Sequence, residues 1–195
     1  MAVVIDGSGD ARMREYSNLA ADLEQQELEA ADGVASPQVY GQLLAIYILQ
    51  DDLPNAKFLW KRIPQSIKQT RSELGNIWKV GQGLWYKDFP AIYTGLAQEW
   101  PDYIRPVMLD LGERTRQRAL NLVAKAYSSI SLDDVASFLG VSRTQVSDVV
   151  TPLGWTVDMV TGMATPKYSV VRQEEFTPSE EQLAKLTDFV AFLEN

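Results

Sequence analysis

The sequence predicts a mainly α-helical protein in which tetratricopeptide-like helical hairpins lead into a winged-helix module and then into a terminal helix. Three observations support this fold class. Apolar residues recur at helical spacing, proline and glycine divide them into segments, and a Thr161-Gly162 turn marks one short β-hairpin. With 195 residues and 46% hydrophobic content, the chain can bury a sizeable core.

The first part of the chain, residues 1–101, is predicted to be a flexible tail followed by helices. We expect residues 1–12 to form the tail and residues 13–101 to form the helical repeats. Ser36-Pro37 marks one helix start, with serine as the cap and proline at the first helical position. The helices predicted in this part are 13–29, 37–50, 52–62, 73–86 and 89–98.

A weak repeat relates two of the predicted hairpins. Asp52-Leu53-Pro54 matches Asp88-Phe89-Pro90 about 36 residues later, and Arg62-Ile63-Pro64 nearly matches Glu99-Trp100-Pro101. Stacked helix pairs of this length resemble tetratricopeptide-like solenoids, in which each hairpin buries its apolar face against its neighbour. We therefore interpret the tryptophans and tyrosines here as core residues rather than a ligand cage.

Residues 102–167 are predicted to hold one long helix and the winged-helix module. The long helix covers 102–128, with a bend at Pro106, and delivers the chain directly into the module at 129–167. The alternative for 129–167 is two unrelated surface helices. The order of two helix caps, a glycine break and a hairpin favours the winged helix.

Local capping signals define the helices of the winged module. Ser131 is expected to cap a helix over Leu132–Leu139, which Gly140 ends. Ser142 and Gln145 have capping-box spacing and start the second helix. Two strands, 155–158 and 162–165, are then expected to form an unclosed two-stranded wing.

After a linker at 168–176, residues 177–195 are predicted to form a C-terminal assembly helix. Thr177-Pro178-Ser179-Glu180 supplies its cap, its first-turn proline and its capping-box acid. The alternative is that its apolar stripe packs back on the same chain. The predicted partner-binding residues are the stripe Leu183, Leu186, Phe189, Val190 and Leu193 and the wing residues Trp155, Val157 and Met163.

The charge pattern argues against DNA as the ligand of the winged module. The chain carries a net charge of −8, and residues 129–168 carry Arg143 and Lys167 against four aspartates. Duplex binding draws much of its affinity from phosphate neutralisation, so we do not expect nucleic-acid binding. An acidic winged-helix nucleic-acid-binding or transcriptional adaptor protein remains the alternative function. A basic patch lies at Lys57, Lys61, Arg62, Lys68 and Arg71. We interpret it as a docking face for an acidic protein, with a merely solvated face as the alternative.

The residue composition excludes most catalytic chemistry. Without histidine or cysteine, the chain cannot form a Ser-His-Asp triad, a thiolate nucleophile or a common zinc site. No phosphate-binding glycine motif is present, and the pairs Asp51/Asp52 and Asp133/Asp134 lie at helix starts, where capping explains them. We expect no enzyme activity, cofactor or metal; an enzyme that uses carboxylates alone is the weakest hypothesis. No apolar run is long enough for a membrane span, and we expect an intracellular protein.

Four segments carry a resemblance to a known family. They are 37–47, 55–64 with Phe58-Leu-Trp-Lys-Arg-Ile-Pro64, 77–82, and 181–195 with Thr187-Asp-Phe-Val-Ala-Phe-Leu-Glu-Asn195. Together with the predicted order of helical repeats, winged helix and terminal helix, they resemble the PCI domain shared by the proteasome lid, the COP-nine signalosome and translation initiation factor three. Within this family, the chain resembles the eighth, smallest subunits of the signalosome.

The resemblance implies a non-catalytic scaffold subunit of an assembly that removes Nedd8 from cullins. In that family the metal-dependent isopeptidase belongs to another subunit. Such subunits pack winged-helix domains edge to edge and bundle their C-terminal helices. The resemblance therefore implies other signalosome subunits as partners, with the third subunit as neighbour, and a location in the cytoplasm and nucleus.

Overall fold

The computed structural model describes residues 7–30, 33–167 and Thr187, and this part of the chain is mainly helical, as predicted. The helices are α1 Gly7–Leu28, α2 Pro37–Leu49, α3 Leu53–Arg62, α4 Gln65–Thr70, α5 Ser72–Tyr86, α6 Phe89–Leu96, α7 Arg105–Ala126, α8 Leu132–Leu139 and α9 Arg143–Val150. The strands are β1 Ile130–Ser131, β2 Thr156–Asp158 and β3 Met163–Thr165.

The start of the chain is more helical than predicted. Helix α1 begins at Gly7, so the predicted tail is wrong for residues 7–12, while residues 1–6 lie outside the described part. The cause is tertiary, because the Arg12 guanidinium contacts the carboxylate of Asp110 on α7 at 2.9 Å. The six-residue helix α4 was not predicted, since it is short and mostly polar.

The sequence repeat corresponds to a structural repeat of two hairpin turns. Asp52 caps α3 and Asp88 caps α6, each accepting from the backbone amide three residues further on, at 3.1 and 3.2 Å. The residue before each cap is left-handed, with φ of 66° at Asp51 and 59° at Lys87. A proline then occupies the first helical turn in both hairpins. The two turns therefore join antiparallel helices with the same cap, backbone conformation and proline position.

Helix α2 is the centre of the helical part. It contacts α1, α3, α5 and α7, and every residue from Leu43 to Leu49 is buried. This burial agrees with its sequence, because a helix that is apolar on all sides must be surrounded by other elements. The hairpins stack around it, and their closing residues Ile63 and Trp100 are also buried.

Tyrosine hydroxyl groups that donate to carboxylates tie the outer helices to this core. Each hydrogen bond is 2.7 Å long. The pairs are Tyr16 with Asp110, Tyr47 with Glu24, and Tyr103 with Glu73. Burial, followed by the hydrogen bond to the carboxylate, raises the pKa of all three phenols, and it raises the pKa of Tyr16 to about 12.

The winged module follows α7, which runs from Arg105 to Ala126 rather than over all of 102–128. Pro106 therefore lies in its first turn, where a proline needs no bend. The sheet has three strands in the order β1-β3-β2, so the predicted two-stranded wing was incomplete. Strand β1 has only two residues, the second of which, Ser131, is also the cap of α8, and it is too short to show an alternating pattern.

The helix boundaries predicted for the module are confirmed. The Ser131 hydroxyl oxygen accepts from the Asp134 amide at 3.1 Å, and Gly140 is left-handed with φ of 63°. The Ser142 amide donates to the side chain of Gln145 at 3.1 Å, as a capping box requires. These contacts are local, which explains why the sequence alone located them.

A small set of contacts joins the helical repeats to the winged module. The Tyr93 hydroxyl donates to the Phe138 carbonyl at 3.0 Å, and Phe89 packs edge-on against the Phe138 ring at 5.4 Å. Arg116 donates to the Leu139 carbonyl at 3.3 Å, and its guanidinium lies 5.6 Å from the centre of the Tyr93 ring. We call these contacts of α6, α7 and α8 the joint.

We predict that Gly140→Ala lowers the free energy of unfolding by about 3 kcal/mol, because left-handed backbone and overpacking both disfavour a side chain there. A Cβ at Gly140 would lie 2.3 Å from ring atoms of Tyr93. Urea unfolding measures the change. Gly75→Ala is the matched control, since apart from its chain neighbours and the backbone of its own helix no atom lies within 4 Å of its Cβ position, and we expect it to raise stability by about 0.5 kcal/mol. Equal stability of Gly140→Ala and the parent chain would contradict the packing at the joint.

We also predict that the protein loses stability as the pH rises from 10 towards about 12, because burial raises the pKa of Tyr16 and of Tyr93 to about 12 in the folded chain. Above pH 10 the unfolded chain binds fewer protons than the folded chain, so alkali favours unfolding. Below pH 10 these phenols are protonated in both states and contribute no pH dependence. Phenolate absorbance and thermal unfolding measure the effect, and Tyr93→Phe should reduce the alkaline loss. A flat stability profile over this window would contradict the prediction.

Candidate functional site

The wing is the part of the predicted partner-binding surface that the structure describes. Trp155 is 5% exposed and belongs to the core of the winged module. It therefore does not lie at the surface, where we predicted it. Val157 and Met163 are partly buried, and Val157 packs against the same core. The predicted stripe Leu183, Leu186, Phe189, Val190 and Leu193 lies outside the described residues.

The exposed apolar residues of the wing are at its tip. Met159 is 61% exposed and Val160 is 96% exposed, in the turn between β2 and β3. Our sequence interpretation missed both residues. The sequence signal that could have identified them is an apolar pair at a turn, where polar residues and glycine are more common.

The tip is held in a defined shape by Asp158. Its carboxylate accepts from the amides of Val160 and Thr161 at 2.8 and 3.3 Å and from the Thr161 hydroxyl at 2.7 Å. The Thr161 hydroxyl, followed by the two amides, lowers the pKa of the Asp158 carboxyl below its usual value. The apolar pair is therefore presented on an ordered turn.

Strand β2 adds a backbone surface beside this tip. In the described part of the chain it pairs with β3 on one side only, because the strand order places it at the edge of the sheet. The unpaired N–H and C=O groups of an edge strand can accept a strand from another chain. The edge of β2 and the Met159-Val160 tip together form what we call the wing surface.

The second helix of the winged module is poorly suited to DNA. Its single cation, Arg143, is bonded to both carboxylate oxygens of Asp133, at 2.9 and 3.1 Å. The same guanidinium lies against Gly162 of the wing turn, where an added Cβ would be 2.9 Å from it. Arg143 of α9 thus contacts both α8 and the wing turn. Its charge is paired with Asp133 and is not free to bind phosphate.

The predicted basic face is divided between ion pairs and ring contacts. Arg62 forms two 2.7 Å hydrogen bonds to the Glu27 carboxylate, which raise the pKa of its guanidinium. The Lys57 ammonium lies 4.9 Å from the Trp85 ring centre, and that of Lys68 lies 4.8 Å from the Trp60 ring centre. Lys61 and Arg71 are exposed. Two cations of the face, Lys57 and Lys68, therefore lie beside aromatic rings, and the charge of Arg62 is neutralised by Glu27.

The paired aspartates act as structural groups. Asp52 caps α3, and Asp51 forms a 2.6 Å ion pair with Arg118 of α7. Asp133 pairs with Arg143, and Asp134 accepts from the Ser131 hydroxyl at 2.6 Å. Among the described residues, no three acidic side chains are grouped in a way that could hold a metal ion. In the same part of the chain, no helix has the length and hydropathy of a membrane span.

Comparison with known proteins gives one consistent family. A family model described as CSN8/PSMD8/EIF3K matches residues 34–175. The chain is similar to COP9 signalosome complex subunit 8 of Xenopus tropicalis, with 50% identity over 92% of this chain and 94% of that protein. The Arabidopsis thaliana protein of that name is 34% identical over 76% of each chain. The Drosophila melanogaster protein is 28% identical over 94% of this chain and 99% of its own length.

We predict that Arg143→Ala lowers the free energy of unfolding by about 0.5–1 kcal/mol, the range of a half-exposed ion pair, without affecting any nucleic-acid binding. Asp133→Ala should have a similar effect, and the double variant should lose less than the sum of the two. Chemical unfolding measures the change in the free energy of unfolding. A mobility-shift titration with duplex DNA measures nucleic-acid binding. A strong, salt-sensitive shift that Arg143→Ala abolishes would instead support the nucleic-acid function.

Proposed function

This chain belongs to the CSN8/PSMD8/EIF3K family, and on that premise we propose that it is a non-catalytic scaffold subunit of the COP9 signalosome, equivalent to subunit 8. The observation that carries the proposal is the 50% identity to Xenopus tropicalis COP9 signalosome complex subunit 8, which extends over nearly the whole of both chains. The same name recurs among relatives from plants, amoebae and insects.

The scaffold role is supported by how the winged module is presented. The joint fixes the module against the helical repeats through Tyr93, Arg116 and the Phe89–Phe138 contact. A neighbouring subunit can then extend the sheet at β2 while Met159 and Val160 become buried beside it. Backbone pairing would give such a contact its register, and apolar burial would give it affinity.

The C-terminal segment is the second part of the proposed assembly surface. Its apolar stripe at residues 183–193 has the spacing of one helix face. We propose that this stripe bundles with equivalent helices of other subunits and that the third subunit is the neighbour at the wing. The basic residues Lys57, Lys61, Lys68 and Arg71 remain a proposed docking face for an acidic protein surface.

The proposed contribution to chemistry is indirect. We propose that the subunit supports removal of Nedd8 from cullins by holding the assembly together. A metal-dependent isopeptidase needs ligands such as histidine, and this chain has no histidine. With this role we expect the protein in the cytoplasm and nucleus.

We predict that Val160→Asp reduces recovery of neighbouring signalosome subunits about tenfold, because an apolar residue buried at an interface would become a buried charge. Leu28→Asp is the matched control, since Leu28 is 87% exposed on α1, away from the wing. Affinity purification of tagged variants with mass spectrometry of the recovered subunits measures the effect.

The same purification, applied to a chain that lacks residues 178–195, tests the C-terminal part of the proposal. We expect this deletion to release the protein from the complex while circular dichroism shows that the helical part stays folded. Unchanged recovery of the partner subunits would contradict the proposal. Loss of the folded winged module in the deleted chain would show instead that the stripe packs on its own chain.

A further inference from the structure

A cavity of about 330 Å³ opens between the two hairpin turns and helix α7. Most of its surface is apolar, and its lining includes residues of both hairpin turns. Asp51 lies in one turn and Lys87 in the other, while α7 supplies the third side. The apolar lining residues are Leu84, Phe89, Ile92 and Leu122.

More positive than negative side chains border the cavity. Arg118 is neutralised by Asp51 at 2.6 Å and also donates to the Leu49 carbonyl at 3.4 Å. Lys87 and Lys125 are exposed at the rim, and neither forms an ion pair with any residue in the described part of the chain. Two uncompensated ammonium groups therefore border an apolar cavity in a chain of net charge −8.

The backbone at Lys87 is unusual for a lysine. Asp51 and Lys87 are the two non-glycine residues with positive φ in the described part, and both line this cavity. A left-handed helix C-terminus is commonly glycine, which has no Cβ to strain. At this position the chain carries a cationic side chain despite that strain.

We propose that this cavity binds an acidic amphipathic peptide segment of a partner protein. One large apolar side chain of the peptide packs in the cavity against Phe89 and Leu122, above the buried Leu84 and Ile92. Carboxylates beside it pair with Lys87 and Lys125. The volume lies at the lower end of ligand sites, which suits a single anchoring side chain. Leu122, which is 53% exposed, would become covered. The cavity residues belong to the repeats and α7, so this interaction is separate from the wing surface of the proposed function.

The test is a titration of the full-length ¹⁵N-labelled chain with the peptide acetyl-Gly-Glu-Glu-Phe-Glu-Glu-Gly-amide, followed by amide chemical shifts. We expect saturable shifts at Lys87, Asn121, Leu122 and Lys125. Replacing the peptide's phenylalanine by alanine, or its glutamates by lysines, should abolish them. Absence of saturable shifts at these four residues, or equal binding of the lysine peptide, would overturn the proposal. Neither result would bear on assembly through the wing.

Two variants distinguish recognition from general destabilisation. Lys87→Gly removes the ammonium and relieves the left-handed backbone, so we expect an unchanged or higher melting temperature together with about threefold weaker peptide binding. Leu122→Asp should weaken binding about tenfold, as expected when apolar burial is replaced by charge repulsion.

The matched controls are Lys79→Gln, an exposed lysine elsewhere on α5, and Leu109→Asp, a 69% exposed leucine on α7 away from the cavity. Both controls should bind the peptide like the parent chain. If the controls weaken binding as much as the cavity variants, the contact is non-specific and the proposal fails. It also fails if Leu122→Asp dissociates a dimer of the parent chain without peptide, because a second copy would then be the occupant.

Discussion

The close approach of Gly140 to the Tyr93 ring is the constraint on which the arrangement of the two parts of the molecule depends. Helix α8 can end against α6 only because the residue at its end is left-handed and has no Cβ, which would otherwise lie 2.3 Å from the ring. The same contact aligns the Tyr93 hydroxyl with the Phe138 carbonyl and places the ring beside Arg116. The orientation of the sheet, and with it the wing surface, follows from this joint.

Much of the fold could be predicted because its signals are local. The caps at Ser131 and Ser142 and the stop at Gly140 are hydrogen bonds and backbone angles set within a few residues, and the structure has them where the sequence indicated. The hairpin repeat was also visible, because Asp and Pro are required at fixed positions of the turn. The start of α1 and strand β1 were missed, since both depend on partners distant in sequence, Asp110 for α1 and β3 for β1.

The candidate site was harder to predict. Composition gives the number of charged and apolar residues, but not which charges are unpaired or which apolar residues are exposed. Arg143 and Arg62 count as cations in the sequence, yet each is paired with a carboxylate of another helix. Trp155 was expected at the partner surface, and it is buried because the short strands need a large side chain to fill the core beneath them. The exposed pair Met159-Val160 takes its place at the tip.

The central claim is that the wing surface is where this chain joins its assembly, and hydrogen exchange tests it most directly. The free chain and the chain within the purified complex are compared for amide protection. The account predicts new protection in residues 156–161, at the β2 edge and the tip, with little change on the exposed face of α1. Equal exchange of residues 156–161 in the two states would contradict it.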